Sequence, residues 1–312
     1  MEPPEQTASA AAPTPTPEAA LTPNPVPPTT PSEDATAEQH VPEMRYLPQD
    51  ASVPAGPAHP MLASTPQGTG LHRLTGAQRL TSRDQHGEFI APRWSPDGLQ
   101  ILASRPGFDG VWLIPAGGGE PVLVADGNGY NARWTTDGKI EITDEDGRIR
   151  RFTTEGVLET IEEPSEEPPP VYSENDTIWV KPAEGGSPFP LTGGDDRYFN
   201  PVLSPDGRYI VYQGLQTGLY VVRADGSGQP VYIGRGNNPV WLPDSSGILF
   251  DVTADDGHNL IEGDIYFADV DGRERTNLTE GDGVISERPS VSPDGRRVSY
   301  EANGDLYVSV FE

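Results

Sequence analysis

The 312-residue chain contains no cysteine. That absence removes disulfides, thiol nucleophiles, thiolate-held metals and cysteine lipidation together. Histidine is nearly as scarce: only His72, His86 and His258 fall beyond His59, too scattered for a His-rich zinc centre. Positive charge is short as well, with 21 Lys and Arg against 48 Asp and Glu. The stretch from Met1 to Pro60 holds eight acids and one base, which leaves 40 acids against 20 bases on the remainder. Such a surface repels phosphate backbones, and no basic run or basic–aromatic patch offsets it, so nucleic acid is excluded as a partner while basic partners or cations fit. No run of 18 apolar residues exists, so no membrane-spanning helix is expected, and Met1-Glu2-Pro3-Pro4 begins no signal peptide.

What is present divides the chain in two. From Met1 to Pro60 the chain carries 15 of the 35 prolines and one of the 35 glycines, with no hydrophobic period. Too little apolar surface is available there to offset the entropy of ordering, so residues 1–65 read as a disordered Pro/Ala/Thr-rich linker or stalk. Residues 66–312 read as one turn-dense all-β domain.

Within that domain one turn recurs: Trp94-Ser95-Pro96-Asp97-Gly98, Trp134-Thr135-Thr136-Asp137-Gly138, Leu203-Ser204-Pro205-Asp206-Gly207, Trp241-Leu242-Pro243-Asp244 and Val291-Ser292-Pro293-Asp294-Gly295. Proline presets φ, Asp or Ser bonds nearby amides, and glycine supplies the positive φ that closes a hairpin with a bulge. A second landmark, an aromatic followed six places later by glycine, marks third strands at Trp112, Trp179, Tyr220 and Tyr266, with Arg150 a weak copy and Tyr307 the last. Apart from the short interval between Arg150 and Trp179, successive landmarks stand roughly one propeller blade apart. Six copies therefore predict a six-bladed β-propeller of four-stranded antiparallel blades. The short interval falls where no Pro-Asp-Gly turn precedes, and the third blade is expected to lack or shorten its first strand. Chain following Tyr307 is too short for a fourth strand, whereas Arg79-Leu80-Thr81 matches the fourth-strand endings Leu191-Thr192 and Leu278-Thr279. A strand near residues 77–81 should therefore complete the last blade and protect its edge.

The Trp-Ser-Pro-Asp-Gly turns, the Leu-Tyr-Val strands and the Leu-Thr endings together resemble the TolB-type β-propeller over roughly residues 66–312. That repeat is found in bacterial envelope proteins, in gating propellers of prolyl-oligopeptidase-like enzymes and in sensor ectodomains. The resemblance implies an extracytoplasmic setting, in the periplasm or at the cell surface.

Candidate sites follow from the architecture. No Gly-x-Ser-x-Gly elbow follows the propeller, and Gly226-Ser227-Gly228 has the wrong spacing, so no catalytic residue is assigned. Asp269-Val270-Asp271-Gly272 fails as a calcium loop because Arg273 and Glu274 stand at its fifth and sixth positions. Calcium is the one ion the acidic loop Asp251 to Asp264 would take, loosely, through Asp255, Asp256 and Glu262; no cofactor or metal site is expected otherwise. Innermost strands converge on the axis, which brings their lead-in residues together: His86 and Glu88; Asn128, Tyr130 and Asn131; Asp195, Asp196, Arg197, Tyr198 and Asn200; Asn237 and Asn238; Glu287 and Arg288. Glu88, Tyr130, Asn131, Asp196, Arg197, Asn200, Asn238 and Arg288 are the expected ligand-binding set at this mouth. Trp94, Trp134 and Trp241 share one repeat position and are expected between blades. The reading is a non-enzymatic protein- or ligand-binding scaffold of the bacterial cell envelope, monomeric, with a protein or peptide partner. Its alternatives are a metal-dependent lactonase- or lyase-like enzyme and a sensor ectodomain parted from its anchor.

Overall fold

The computed structural model describes residues 72–312 apart from Glu166, Asp195 and Asp282; the linker expected over 1–65 lies outside the described residues. The β-branched and aromatic runs between turns form six antiparallel sheets, the blades of a six-bladed propeller. From axis to rim, blade one is Ile90–Trp94, Gln100–Arg105, Asp109–Pro115 and Val122–Asn128, and blade two is Ala132–Trp134, Ile140–Thr143, Ile149–Phe152 and Leu158–Glu162. Blade four is Tyr198–Leu203, Tyr209–Gly214, Gly218–Arg223 and Val231–Gly234, and blade five is Asn237–Trp241, Gly247–Asp255, Leu260–Asp269 and Arg275–Asn277. Blade three has only Val171–Glu174, Thr177–Val180 and Phe189–Pro190, its sheet lacking the innermost strand. Among the described residues no helix is long and apolar enough to cross a membrane.

Blade six joins the two ends of the described chain. Ser286–Val291, Arg297–Ala302 and Asp305–Phe311 are followed outward by Leu74–Arg79, with Leu74 opposite Phe311 and Arg79 opposite Tyr307. The Leu-Thr signature has a bonding reason. Leu80 donates its N–H to Leu306 O (2.7 Å), and Thr81 Oγ1 accepts the Leu306 N–H (2.9 Å). Leu191-Thr192 treats Ile178 in the same way, and Leu278-Thr279 does so to Ile265. Each pair satisfies a buried third-strand peptide group that would otherwise be orphaned, and Leu80 and Leu278 are themselves buried, Leu191 partly so.

The recurrent turns close as their spelling requires. Ser204 Oγ donates to Asp206 Oδ1 (2.7 Å) and accepts the Tyr209 N–H (3.0 Å), an arrangement repeated by Ser95 with Asp97 and by Ser292 with Asp294. The Ser204 hydroxyl, with the N–H and guanidinium of Arg208, holds the Asp206 carboxyl down to about 2. Gly207 sits at φ +73°, and a Cβ there would meet no atom within 4 Å, so any penalty on substitution is backbone strain alone. Gly207→Val should therefore destabilise the propeller by about 1–3 kcal/mol, read from urea midpoints. A variant as stable as the parent would refute the left-handed assignment. In blade five Ser245 takes this conformation at φ +62° in place of glycine.

Alternation sends apolar side chains into the gaps between blades. Five buried clusters result, at the interfaces of blades six and one, one and two, three and four, four and five, and five and six. Each fully buried Ile, Leu or Phe in them contributes about 1.5–3 kcal/mol. The interface of blades two and three has no such cluster among the described residues. Trp94, Trp134 and Trp241 lie between blades, as expected.

One expected element is corrected. The stretch Asp251 to Asp264 is not a loop: it is the outer half of a hairpin whose strands, Gly247–Asp255 and Leu260–Asp269, run 9 and 10 residues. Its polar residues alternate across a paired ladder, which composition alone reads as loop.

Candidate functional site

Four innermost strands carry the same irregularity. Ala91, Asn200, Asn238 and Arg288 each precede a proline and hold φ of 55°, 50°, 49° and 47°, and the strand register slips around each of them. Proline disfavours the right-handed helical region for the residue before it, and a bulge re-aims that residue's side chain. Left-handed alanine and arginine are strained by about 1–3 kcal/mol, so the surroundings must hold them.

The holding groups are carboxylates on second strands. Asp251, opposite Asn237 in the ladder and only 1% exposed, accepts the Arg288 N–H of the next blade (2.9 Å) and the Asn238 side-chain amide (2.8 Å). Glu301, opposite Glu287 and 5% exposed, accepts the Ala91 N–H of the next blade through Oε1 (2.6 Å) and Arg288 Nη1 through Oε2 (2.8 Å). Each carboxylate thus pins the left-handed residue of the following blade. Gln213 plays a related part from blade four, donating to Gly236 O (3.2 Å) and Asn237 Oδ1 (2.9 Å).

Above these groups lies a cavity of about 450 Å³ lined by Phe199, Asn200, Gln213, Leu215, Asn237, Asn238, Asp251, Thr253, Glu287 and Arg288. Glu301 and Glu287 stand 2.8 and 4.0 Å from the Arg288 guanidinium, and Asp251 accepts the Arg288 main-chain N–H. Burial pushes Asp251 and Glu287 up from the usual carboxylate range, and it pushes Glu301 up to about 7 against the opposing pull of Arg288. The site is poised to be short of positive charge. A larger cavity, about 760 Å³, lies at the turn end of blades three and four among Pro168, Pro170, Pro182, Val180, Phe189 and Leu203. Its ionisable lining residues, Glu167, Lys181, Glu184 and Asp225, are not buried, and Glu167 is already paired with Lys181 (2.6 Å).

Of the residues expected at the mouth, Asn200, Asn238 and Arg288 come together in the axial cavity. The others have separate local roles. Glu88 pairs with Arg83 (2.6 Å), Tyr130 is exposed edge-on to Phe108, and Asn131 donates to Thr143 O (3.2 Å). Asp196 accepts from Gln216 N (3.1 Å) and Thr217 Oγ1 (2.5 Å), while Arg197 pairs with Asp176 (3.0 Å). Asp195 lies outside the described residues. Sequence reasoning missed Asp251 and Glu301. The available signal was the X-Pro step repeated on four innermost strands. Among the described residues no three His, Asp or Glu side chains are grouped to hold a metal ion.

No family model matches the chain. A stretch of 142 residues, 43% of this chain, is 28% identical to the uncharacterised peptidase YuxL of Bacillus subtilis, and covers 20% of that protein. The chain thus spans about a fifth of the length of the curated relative it matches. Oligogalacturonate lyase from Vibrio parahaemolyticus superposes with a TM-score of 0.52 at 12% identity, covering 77% of this chain and 96% of the lyase. A gluconolactonase from Xanthomonas campestris gives 0.51 at 11% identity, over 77% and 95% of the two chains. A putative TolB from Agrobacterium tumefaciens is 22% identical over 72% of this chain and 76% of its own, with a TM-score of 0.33. At these identities, what the chain shares with the lyase and the lactonase is its fold.

Proposed function

We propose that the propeller is a binding module of the cell envelope, not a catalyst, and that its axial cavity receives a cationic group carried by a peptide or protein partner. The observation that carries this reading is the pair of buried or half-buried carboxylates, Asp251 and Glu287, in the lining of a cavity walled by amides, whose one guanidinium, Arg288, is already paired with a third carboxylate, Glu301. A ligand ammonium or guanidinium offsets the desolvation that now raises Glu287 and Glu301 toward their neutral forms. The acidic domain adds long-range attraction for basic partners, which salt screens over about 8 Å at physiological strength. The TolB-type repeat supports the envelope setting.

The test is fluorescence anisotropy with labelled peptides that differ only in Lys/Arg or Asp/Glu content. Basic peptides should bind, weakening with salt, and Glu287→Gln or Asn238→Ala should cost about tenfold in Kd. Affinity that ignores both substitutions but falls when the hairpin tip 255–260 is shortened would move the site to the rim. Metal-dependent turnover of lactones or oligogalacturonates, abolished by substituting Glu88, Asn131 or Asn200, would replace binding with catalysis.

A further inference from the structure

Three devices seen at other junctions of the ring are missing between blades two and three: an arginine seen once, an indole seen three times, with Leu203 and Val291 in its place in blades four and six, and an apolar cluster seen five times. The first is an arginine. Arg93 of blade one reaches across to the lead-in of blade two, donating to Gly129 O (3.3 Å) and Tyr130 O (3.0 Å). Arg133 holds the same place in blade two, but it folds back onto Glu141 (2.8 Å) and is 61% exposed.

The second device is an indole. Trp94, Trp134 and Trp241 each donate Nε1–H to the innermost strand of the preceding blade, at Ser290 O (3.1 Å), Arg93 O (3.1 Å) and Val202 O (3.0 Å). Arg133, opposite Glu141 in the ladder, offers the equivalent carbonyl of blade two. No described indole comes to it, because blade three has no innermost strand. The third device is the apolar cluster. In its place blade two turns an ionic ladder to the junction, Arg133–Glu141–Arg151–Glu162, with contacts of 2.8, 2.5 and 3.2 Å.

Blade three meets this junction with a bare strand edge. Pro170 O accepts the Lys181 N–H (2.9 Å), and Tyr172 and Glu174 lie opposite Trp179 and Thr177. Ladder alternation then turns the peptide groups of Val171 and Ser173 toward the axis, where no strand of the sheet pairs with them.

We infer that this edge receives an extended segment of a partner polypeptide, spelled X-Pro-x-Trp like this chain's own innermost strands and carrying Lys or Arg, which completes blade three. Backbone pairing along Val171–Glu174 supplies the affinity and alternate side chains the selectivity. Residues on the side of Val171 and Ser173 face Ile210 and Tyr212 of blade four and should be apolar. Residues on the other side face blade two: the tryptophan donates to Arg133 O, and the cation meets the exposed Glu174 and Glu162.

The probe is a fluorescein-labelled copy of residues 235–246, which supplies Arg235, the Asn238-Pro239 step and Trp241. It is titrated into the full chain by anisotropy, and amide exchange is followed at Val171 and Ser173. Binding should slow exchange there at least tenfold. Replacing the probe's tryptophan by alanine should weaken it about tenfold, as should Glu174→Lys in the protein, an exposed position whose substitution leaves the fold in place. Glu287→Gln should leave it unchanged, which separates this edge from the axial cavity. Slow exchange at Val171 and Ser173 before any peptide is added, dimers of the chain that protect the same amides, protection elsewhere, or sensitivity to Glu287→Gln would each overturn the inference.

Discussion

A chain lacking residues 1–84 should melt roughly 10–20 °C below one lacking residues 1–70, and it should aggregate on heating. The longer deletion removes Leu74–Arg79, the outermost strand of blade six, together with Leu80, which is 5% exposed in the cluster between blades six and one. Leu74 packs on the cluster between blades five and six, and His72 stacks on Phe311 at 5.1 Å. Burial of Leu80 and partial burial of Leu74, about 3–4 kcal/mol together, with the Leu306 N–H and O both left without the partners Thr81 Oγ1 and Leu80 N–H, amount to about 4–6 kcal/mol. At about 2–4 °C per kcal/mol for a domain of this size, the shift follows. The exposed edge of Asp305–Phe311 then offers unpaired peptide groups to other molecules, hence the aggregation. Scanning calorimetry and light scattering of the two truncations decide it. Equal melting would mean that the N-terminal strand does not complete the ring.

The parts of this fold that local chemistry dictates were legible in the sequence. Pro-Asp-Gly turns, third-strand aromatics and Leu-Thr endings are each read within a short stretch of chain, and each has the hydrogen-bonding reason its spelling suggests. The third blade's missing strand showed as one short interval in the period. The site was less legible because its defining contacts cross blades. Asp251 and Glu301 are polar residues in alternating strands, and alternation alone assigns such residues to solvent. Only when the ring brings the next blade's left-handed Arg288 or Ala91 alongside do they become buried acceptors. Asn200, Asn238 and Arg288 meet at the cavity because convergence of innermost strands is a property of the architecture. Tyr130 and Asn131 do not line it, and blade two begins with a tight turn, Gly129–Asn131, rather than an X-Pro bulge.

Arg288→Met should destabilise the propeller by about 2–3 kcal/mol at pH 8 and by much less at pH 5. The difference comes from Glu301, whose carboxyl burial raises from 4.5 to about 7 even with Arg288 Nη1 at 2.8 Å. An acid with a raised folded pKa binds more protons folded than unfolded between those two values, so stability falls as pH climbs from about 4.5 to 7. Near pH 5 Glu301 is largely neutral in the folded protein, and losing Arg288 removes little attraction. At pH 8 the parent holds a charged pair, whereas the variant must either bury a lone carboxylate or keep it protonated at increasing expense. Breaking a buried pair costs about 3–5 kcal/mol, and the figure is reduced here because the Arg288 side chain is 33% exposed. Glu301→Gln added to Arg288→Met should recover most of the loss at pH 8, since the glutamine oxygen still accepts the Ala91 N–H without carrying charge. Urea midpoints of the parent, the single variant and the double variant at both pH values supply the comparison. A loss of equal size at pH 5 and pH 8, untouched by the second substitution, would reduce Arg288 to a packing residue and remove the charge argument from the axial cavity.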